Sequence, residues 1–338
     1  MKKLLSLLLV AVLLLGLASM TAFAETKTYR VAMITDTGGI NDQSFNASAW
    51  AGLQRAQEEL GIEVKYYESK TEADYAPNME TAVDEGYDLI FCVGFMMADA
   101  LAEVAESYPD QAFAIIDNDS VGDNVTGVQF ATEQCSYLVG VAAAKMSETN
   151  NIGFVIGAVS PVMNTFGFGY YAGAKDTNPD ITIQCYNVNN FGDAPGGKAA
   201  TISMYTNGAD VVYHAAGGTG LGVIEAGKEQ GKYVIGVDQD QAYLAPEAVI
   251  TSAIKRVDNG VYQLCSDLVA GNLTGGTVLY DISTGAVDIS ETKDLLSEDA
   301  IAAIEEARAK ILSGEIVVPN TTEAFDAIYG ADVYTLDD

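Results

Sequence analysis

Short apolar runs alternate with longer amphipathic stretches along nearly the whole chain, and this alternation constrains the fold more than any single motif. The first strand candidates are Tyr29–Thr35, Glu63–Glu68, Leu89–Val93, Ala112–Ile116 and Thr126–Phe130. After the first of them, Phe45, Ala49, Leu53, Ala56 and Leu60 recur at spacings of three and four, which is one face of a helix. Tyr75, Met79 and Val83 mark a second helix, and Ala98, Leu101 and Ala105 a third. Strand, helix, strand, helix implies a parallel sheet with helices on both faces.

The order then restarts. Ser136–Met146 reads as a helix. Strands at Ile152–Ile156, Ile181–Tyr186, Val211–His214 and Val234–Val237 alternate with helices at Phe168–Thr177, Lys198–Thr206 and Gly222–Glu229. A long helical stretch is expected from Ser252 to Leu268, ended by Gly271, then a returning strand at Val278–Ser283 and a late helix at Ile301–Leu312. A chain of 338 residues exceeds one typical domain. The expectation is α/β architecture in two lobes, residues 25–130 with 253–276 and residues 131–252 with 277–338. No Pro- or Ser-rich linker separates them, so repeated crossings would form a hinge rather than a tether.

The ends and the composition narrow the function. Lys2 and Lys3, the apolar run Leu4–Leu17 and Ala22-Phe23-Ala24 read as a signal peptide over residues 1–24, with a mature start at Glu25. The run is shorter than the ~20 residues of a spanning helix. Met20 stands where a lipid-anchored protein would carry its lipobox cysteine, so no lipidation is expected there. The protein is therefore expected to be exported and extracytoplasmic. A formal charge of −30 disfavours nucleic acid and anionic lipid as partners. No D-x-D-x-D-G loop with a following Glu supports calcium binding. Cys92, Cys135, Cys185 and Cys265 form no Cys-x-x-Cys pair and read as separate thiols, with no metal centre and no cofactor expected. His214 is the single histidine and reads as a packed or hydrogen-bonded side chain at a strand end. No G-x-S-x-G elbow accompanies it. A hydrolase built on carboxylates alone stays open.

Chemistry concentrates where strands hand over to helices, the usual ligand position in open α/β sheets. The first such loop runs Asp36-Thr37-Gly38-Gly39-Ile40-Asn41-Asp42-Gln43-Ser44-Phe45-Asn46. It carries carboxylates, amides and one ring but no Lys, Arg or His, which suits hydroxyls and a flat ring better than a phosphate. Asn41 or Asp42 can cap the helix that follows. Asp117 in Ile116-Asp117-Asn118-Asp119 and Asp238 in Gly236-Val237-Asp238-Gln239-Asp240 also close apolar strands. A carboxylate in the second position can accept two hydrogen bonds from a vicinal diol. Ala216-Gly217-Gly218-Thr219-Gly220 offers backbone contact to a neutral ligand. Phe166 is a candidate second ring, and Lys255 a candidate hydroxyl donor on a chain poor in basic residues.

These stretches resemble the basic membrane protein family of ABC transporter substrate-binding proteins, whose best understood members are purine nucleoside receptors. The resemblance rests on Thr35 to Asn46 with Ala49-Trp50, Ala73-Asp74-Tyr75, Val93-Gly94-Phe95, Ile116-Asp117, Tyr137 to Ala143, Gly192-Asp193, Ala216 to Gly220 and Gly236 to Asp240. It implies a type I periplasmic-binding-protein fold, two Rossmann-like lobes with parallel sheets joined by a three-segment hinge. It also implies a monomer that clamps a purine nucleoside for delivery to a permease. Phe45 and Phe166 would sandwich the base, and Asp36, Asn46 and Asp117 would face its polar edge. Asp238, Lys255 and the backbone near Gly218 would hold the ribose hydroxyls. A receptor for a sugar or another small polar metabolite, or a nucleoside hydrolase, remains an alternative on the residues alone.

Overall fold

The computed structural model describes residues 27–331 and 333–334. The expected signal peptide, with Met20, lies outside the described residues, as do the last four residues of the expected second lobe. No helix among the described residues is long and apolar enough to cross a membrane.

Lobe one is built from β1 (Arg30–Thr35), α1 (Phe45–Leu60), β2 (Glu63–Tyr67), α2 (Tyr75–Asp84), β3 (Leu89–Val93), α3 (Ala98–Ser107), β4 (Ala112–Ile116) and β5 (Val125–Phe130). After α4 (Thr132–Met146), lobe two follows with β6 (Asn151–Ile156), α5 (Pro161–Thr177), β7 (Thr182–Asn187) and α6 (Ala194–Thr206). It continues through β8 (Val211–Ala215), α7 (Thr219–Gln230), β9 (Tyr233–Asp238) and β10 (Val249–Lys255). The chain then recrosses through α8 (Val257–Ala270) to β11 (Gly276–Tyr280), and returns to β12 (Val287–Ile289), α9 (Glu298–Ser313) and α10 (Thr322–Tyr329).

The two sheets share one plan. Lobe one has strand order β11-β5-β4-β3-β1-β2, and lobe two β12-β10-β9-β8-β6-β7. Among the described residues every pairing is parallel except that of β10 with β12. Central strands such as Leu89–Val93 are buried throughout, as continuous apolar runs covered on both faces must be. Edge strand β11 is exposed over Gly276–Leu279, and there turn residues and pairing, not burial, set its limits.

Three crossings join the lobes, after Phe130, Lys255 and Tyr280. They are bonded to one another: Ala131 N–H donates to the Tyr280 carbonyl at 2.8 Å, and Arg256 N–H to that of Ala286 at 2.7 Å. The expected boundaries are corrected here. Ser252–Lys255 is not the start of a helix but the end of β10, paired with both β9 and β12. Residues 253–255 therefore belong to lobe two, and residues 277–280 to lobe one as part of β11. The β-branched Val249-Ile250-Thr251 favours a strand, and partners on both sides carry it on through the helix-compatible Ser-Ala-Ile.

Helices α4 and α5 pack at glycines. A Cβ on Gly173 would lie 2.0 Å from the Tyr137 carbonyl oxygen, and one on Gly140 2.3 Å from that of Tyr170. Backbone cannot yield as a side chain tip can. Gly173→Ala is expected to destabilise the protein by about 1–3 kcal/mol, read as a lower urea midpoint with unchanged slope.

Candidate functional site

The carboxyl ends of both sheets face each other across a cleft. Asp42 organises its lobe-one side. Its carboxylate accepts the backbone N–H groups of Ser44 at 2.9 Å, Asn46 at 2.8 Å and Ala47 at 3.0 Å. It thereby satisfies donors that the start of α1 cannot pair internally, and places an anion at the helix's positive end. The Asn46 amide then bridges two acids, donating to Asp36 at 2.7 Å and to Asp42 at 3.1 Å. Gly38 N–H donates to the same Asp36 oxygen at 2.8 Å.

Asp117 follows β4 and Asp238 ends β9, the third-position strands of their sheets. Each has φ of +66°, a left-handed conformation that Asp tolerates better than most residues. The two lobes thus turn the same corner in the same way, and each corner sets a buried carboxylate at the cleft. Asp117 pairs with the Lys255 ammonium from the other lobe, and Ser44 donates across the cleft to Asp238. Asp117 Oδ1 is buried and has no hydrogen-bond partner. The Lys255 ammonium lies 4.6 Å from the Phe45 ring centroid and 5.6 Å from that of Phe166.

These groups line one cavity between the lobes. Asp36, Phe45, Asn46, Asp117, Phe166, Asp238 and Lys255 all reach its wall, as do Asp42, Phe95, Met96 and Phe191. Gly218 does not; its neighbour Gly217 does. Gly217 has φ of +52° and turns toward the cavity, whereas Gly218 already has helical angles and leads into α7. Phe191, between β7 and α6, meets Phe95 from lobe one edge to face, with centroids 6.4 Å apart. A Cβ on Gly157 would strike the Phe191 ring at 2.4 Å, so that glycine makes room for it. Phe95 and Phe191 both stand in strand-to-helix loops, the signal that exposed Phe45. His214 lies outside the cavity wall, fully buried and 3.0 Å from Gln241 Oε1. The four cysteines are free thiols, three buried and Cys185 half-buried.

The electrostatics follow from burial. Desolvation pushes Asp36 up to about 7; the Asn46 amide works against it, and the Asp42 charge adds to it. Burial likewise lifts Asp238 to about 6, against the pull of the Lys255 charge. Burial holds His214 down at about 4, so it is neutral near pH 7. A carboxyl group raised by folding keeps a proton that the unfolded chain has released. The stability it lends is complete at low pH and is lost as pH rises from about 4 through the folded value. Asp36→Asn is therefore expected to gain in Tm relative to wild type as pH goes from about 5 to about 8. A difference that stays constant with pH would contradict this.

The comparisons with known proteins agree with the architecture. The ABC transporter substrate-binding protein PnrA-like profile (Bmp) matches residues 29–322. The ABC transporter nucleoside-binding protein BmpA of Lactococcus lactis is 38% identical over 327 residues, covering 90% of this chain and 92% of that protein. A CD4+ T-cell-stimulating antigen of Listeria monocytogenes is 41% identical over 319 residues, covering 87% of this chain and 89% of its own. Among solved structures, an ABC transporter solute-binding protein from Aeropyrum pernix superposes with a TM-score of 0.82 at 30% identity, over 89% of this chain and 96% of its own. The two-lobed fold is that of type I periplasmic binding proteins, and membership implies a small-molecule ligand and a permease partner. This chain belongs to the PnrA-like family of ABC transporter substrate-binding proteins.

Proposed function

We propose that the protein is an extracytoplasmic receptor that binds purine nucleosides reversibly between its lobes and hands them to a permease. The observation that carries this reading is the cavity's pairing of aromatic faces with acceptor-rich edges. Phe45 and Phe166 come from opposite lobes, and Asp36, Asn46, Asp117 and Asp238 stand around them. A flat base suits the rings, and its N–H groups suit buried carboxylates. Asp117 Oδ1 is a buried acceptor with capacity to spare. Asp238, Lys255 and the backbone at Gly217 are assigned to the ribose.

The charge balance favours a nucleoside over a nucleotide. Among the described residues Lys255 is the one basic side chain on the cavity wall, and it is already paired with Asp117. A phosphate would meet Asp36, Asp42 and Asp238 with no free cation to offset them. The L. lactis relative is named as nucleoside-binding, in keeping with this assignment. The reading makes the protein a carrier rather than an enzyme, working as a monomer, exported by residues 1–24 without a lipid anchor at Met20.

Titration calorimetry with inosine, guanosine, adenosine and ribose tests it. Nucleosides are expected to bind and ribose alone to bind far more weakly; silence from every nucleoside would refute the assignment. Phe45→Ala is expected to weaken binding by roughly tenfold or more, the worth of one stacking face at about 1–3 kcal/mol. Asp238→Ala and a 2′-deoxy ligand should each lose roughly tenfold, because one partner of a buried hydrogen bond is left unmatched. Inosine incubated with the protein is expected to release no free base.

A further inference from the structure

Behind the cavity wall, lobe two carries a preformed polar socket that none of the ligand assignments uses. Gln241 is fully buried at its centre. Its Oε1 accepts Val237 N–H at 2.9 Å and faces His214 Nε2 at 3.0 Å. Its backbone N–H donates to Ser252 Oγ at 3.1 Å. Two glycines make the space: a Cβ on Gly236 would lie 2.6 Å from Gln241 Oε1, and one on Gly220 2.1 Å from the His214 ring. The amide orientation is fixed from both ends, because Val237 N–H needs an oxygen and the remaining partner is a carbonyl. That partner belongs to the other lobe. Gln241 Nε2 donates to the Gln43 carbonyl at 2.9 Å, and Tyr243 O–H donates to Gln43 Oε1 at 2.6 Å.

Gln43 is the residue this socket grips, and its backbone is unusual. It has φ of +52° without being glycine. It stands between Asp42, which caps α1, and Ser44, which donates to Asp238, two residues before Phe45. Neither Gln241 nor Tyr243 reaches the cavity wall. We infer that Gln241, backed by His214 and flanked by Tyr243, is a closure latch: it captures the Gln43 main chain when the lobes meet and so fixes Ser44 and Phe45 in their binding positions. Gln241 is thus a positioning residue for the site proposed above. The latch rests on the closed two-lobed geometry, while its effect on nucleoside release rests also on the ligand reading.

Two variants separate the latch from a role in folding. Gln241→Glu, measured above about pH 8 so that the new carboxyl is ionised, keeps an oxygen for Val237 N–H but removes the cross-lobe donor. Tyr243→Phe removes one hydroxyl from a side chain that is 57% exposed, so folding should be unaffected. X-ray scattering from each protein, stripped of ligand by denaturation and refolding, reports lobe opening with no ligand needed. Both variants are expected to shift the ligand-free population toward the open, larger form by about threefold to tenfold, the worth of one net hydrogen bond. Inosine dissociation should quicken by the same factor, with the association rate not reduced. Scattering identical to wild type in two folded variants would overturn the latch, as would a wild type with no closed population. If wild type binds no nucleoside, the ligand reading fails, and the scattering still decides the latch.

Discussion

Among the described residues four buried carboxylates and one ammonium share a cleft, and the rest of the site is arranged around that imbalance. An unpaired charge cannot stay buried without compensation. Here each acid is met differently. Asp42 takes the N–H groups of α1, Asp36 is held by an amide and raised toward neutrality, and Asp117 takes the lysine. Asp238 takes a serine hydroxyl from the facing lobe. Two of these four solutions cross the cleft, so neutralising the site and closing it are partly the same event. The acceptor capacity left over, at Asp117 Oδ1, is what a ligand N–H can use.

The fold delivers these groups by repetition. Two sheets of the same order place equivalent strands at the cleft, and equivalent corners after β4 and β9 give Asp117 and Asp238 the same left-handed backbone. Such corners cost about 1–3 kcal/mol for a non-glycine residue, an expense that persists where surrounding structure holds it. Lys255 reaches the cavity because β10 runs on to the hinge, where Phe130 also packs, 5.4 Å from the ammonium. The hinge and the binding site are therefore contiguous through one side chain.

Much of this was legible in the chain. Leu89–Val93 and Ala112–Ile116 were bounded to the residue, because apolar runs flanked by turn residues have one good place in a parallel sheet. A cap before the first helix was visible as Asn41 or Asp42, and the hydrogen bonds assign it to Asp42. What escaped was set by distant partners. Ser252–Lys255 reads as helix until β9 and β12 pair with it. The Asp117–Lys255 contact joins residues 138 apart. Gly217 and Gly218 are the same letter twice, and the sign of φ separates the one that reaches the cavity wall from the one that leads into the helix. Phe95 and Phe191 carried the right signal, a ring in a strand-to-helix loop, but nothing local tells a cleft ring from a core ring.

As proposed above, the cleft would select a neutral molecule with a flat base and a diol. Mass spectrometry of whatever is released when protein purified from its native source is gently denatured reads the ligand without any choice of probe. The mass of a purine nucleoside is expected at close to one equivalent per chain. A free sugar or a nucleotide released at that stoichiometry would overturn the nucleoside assignment.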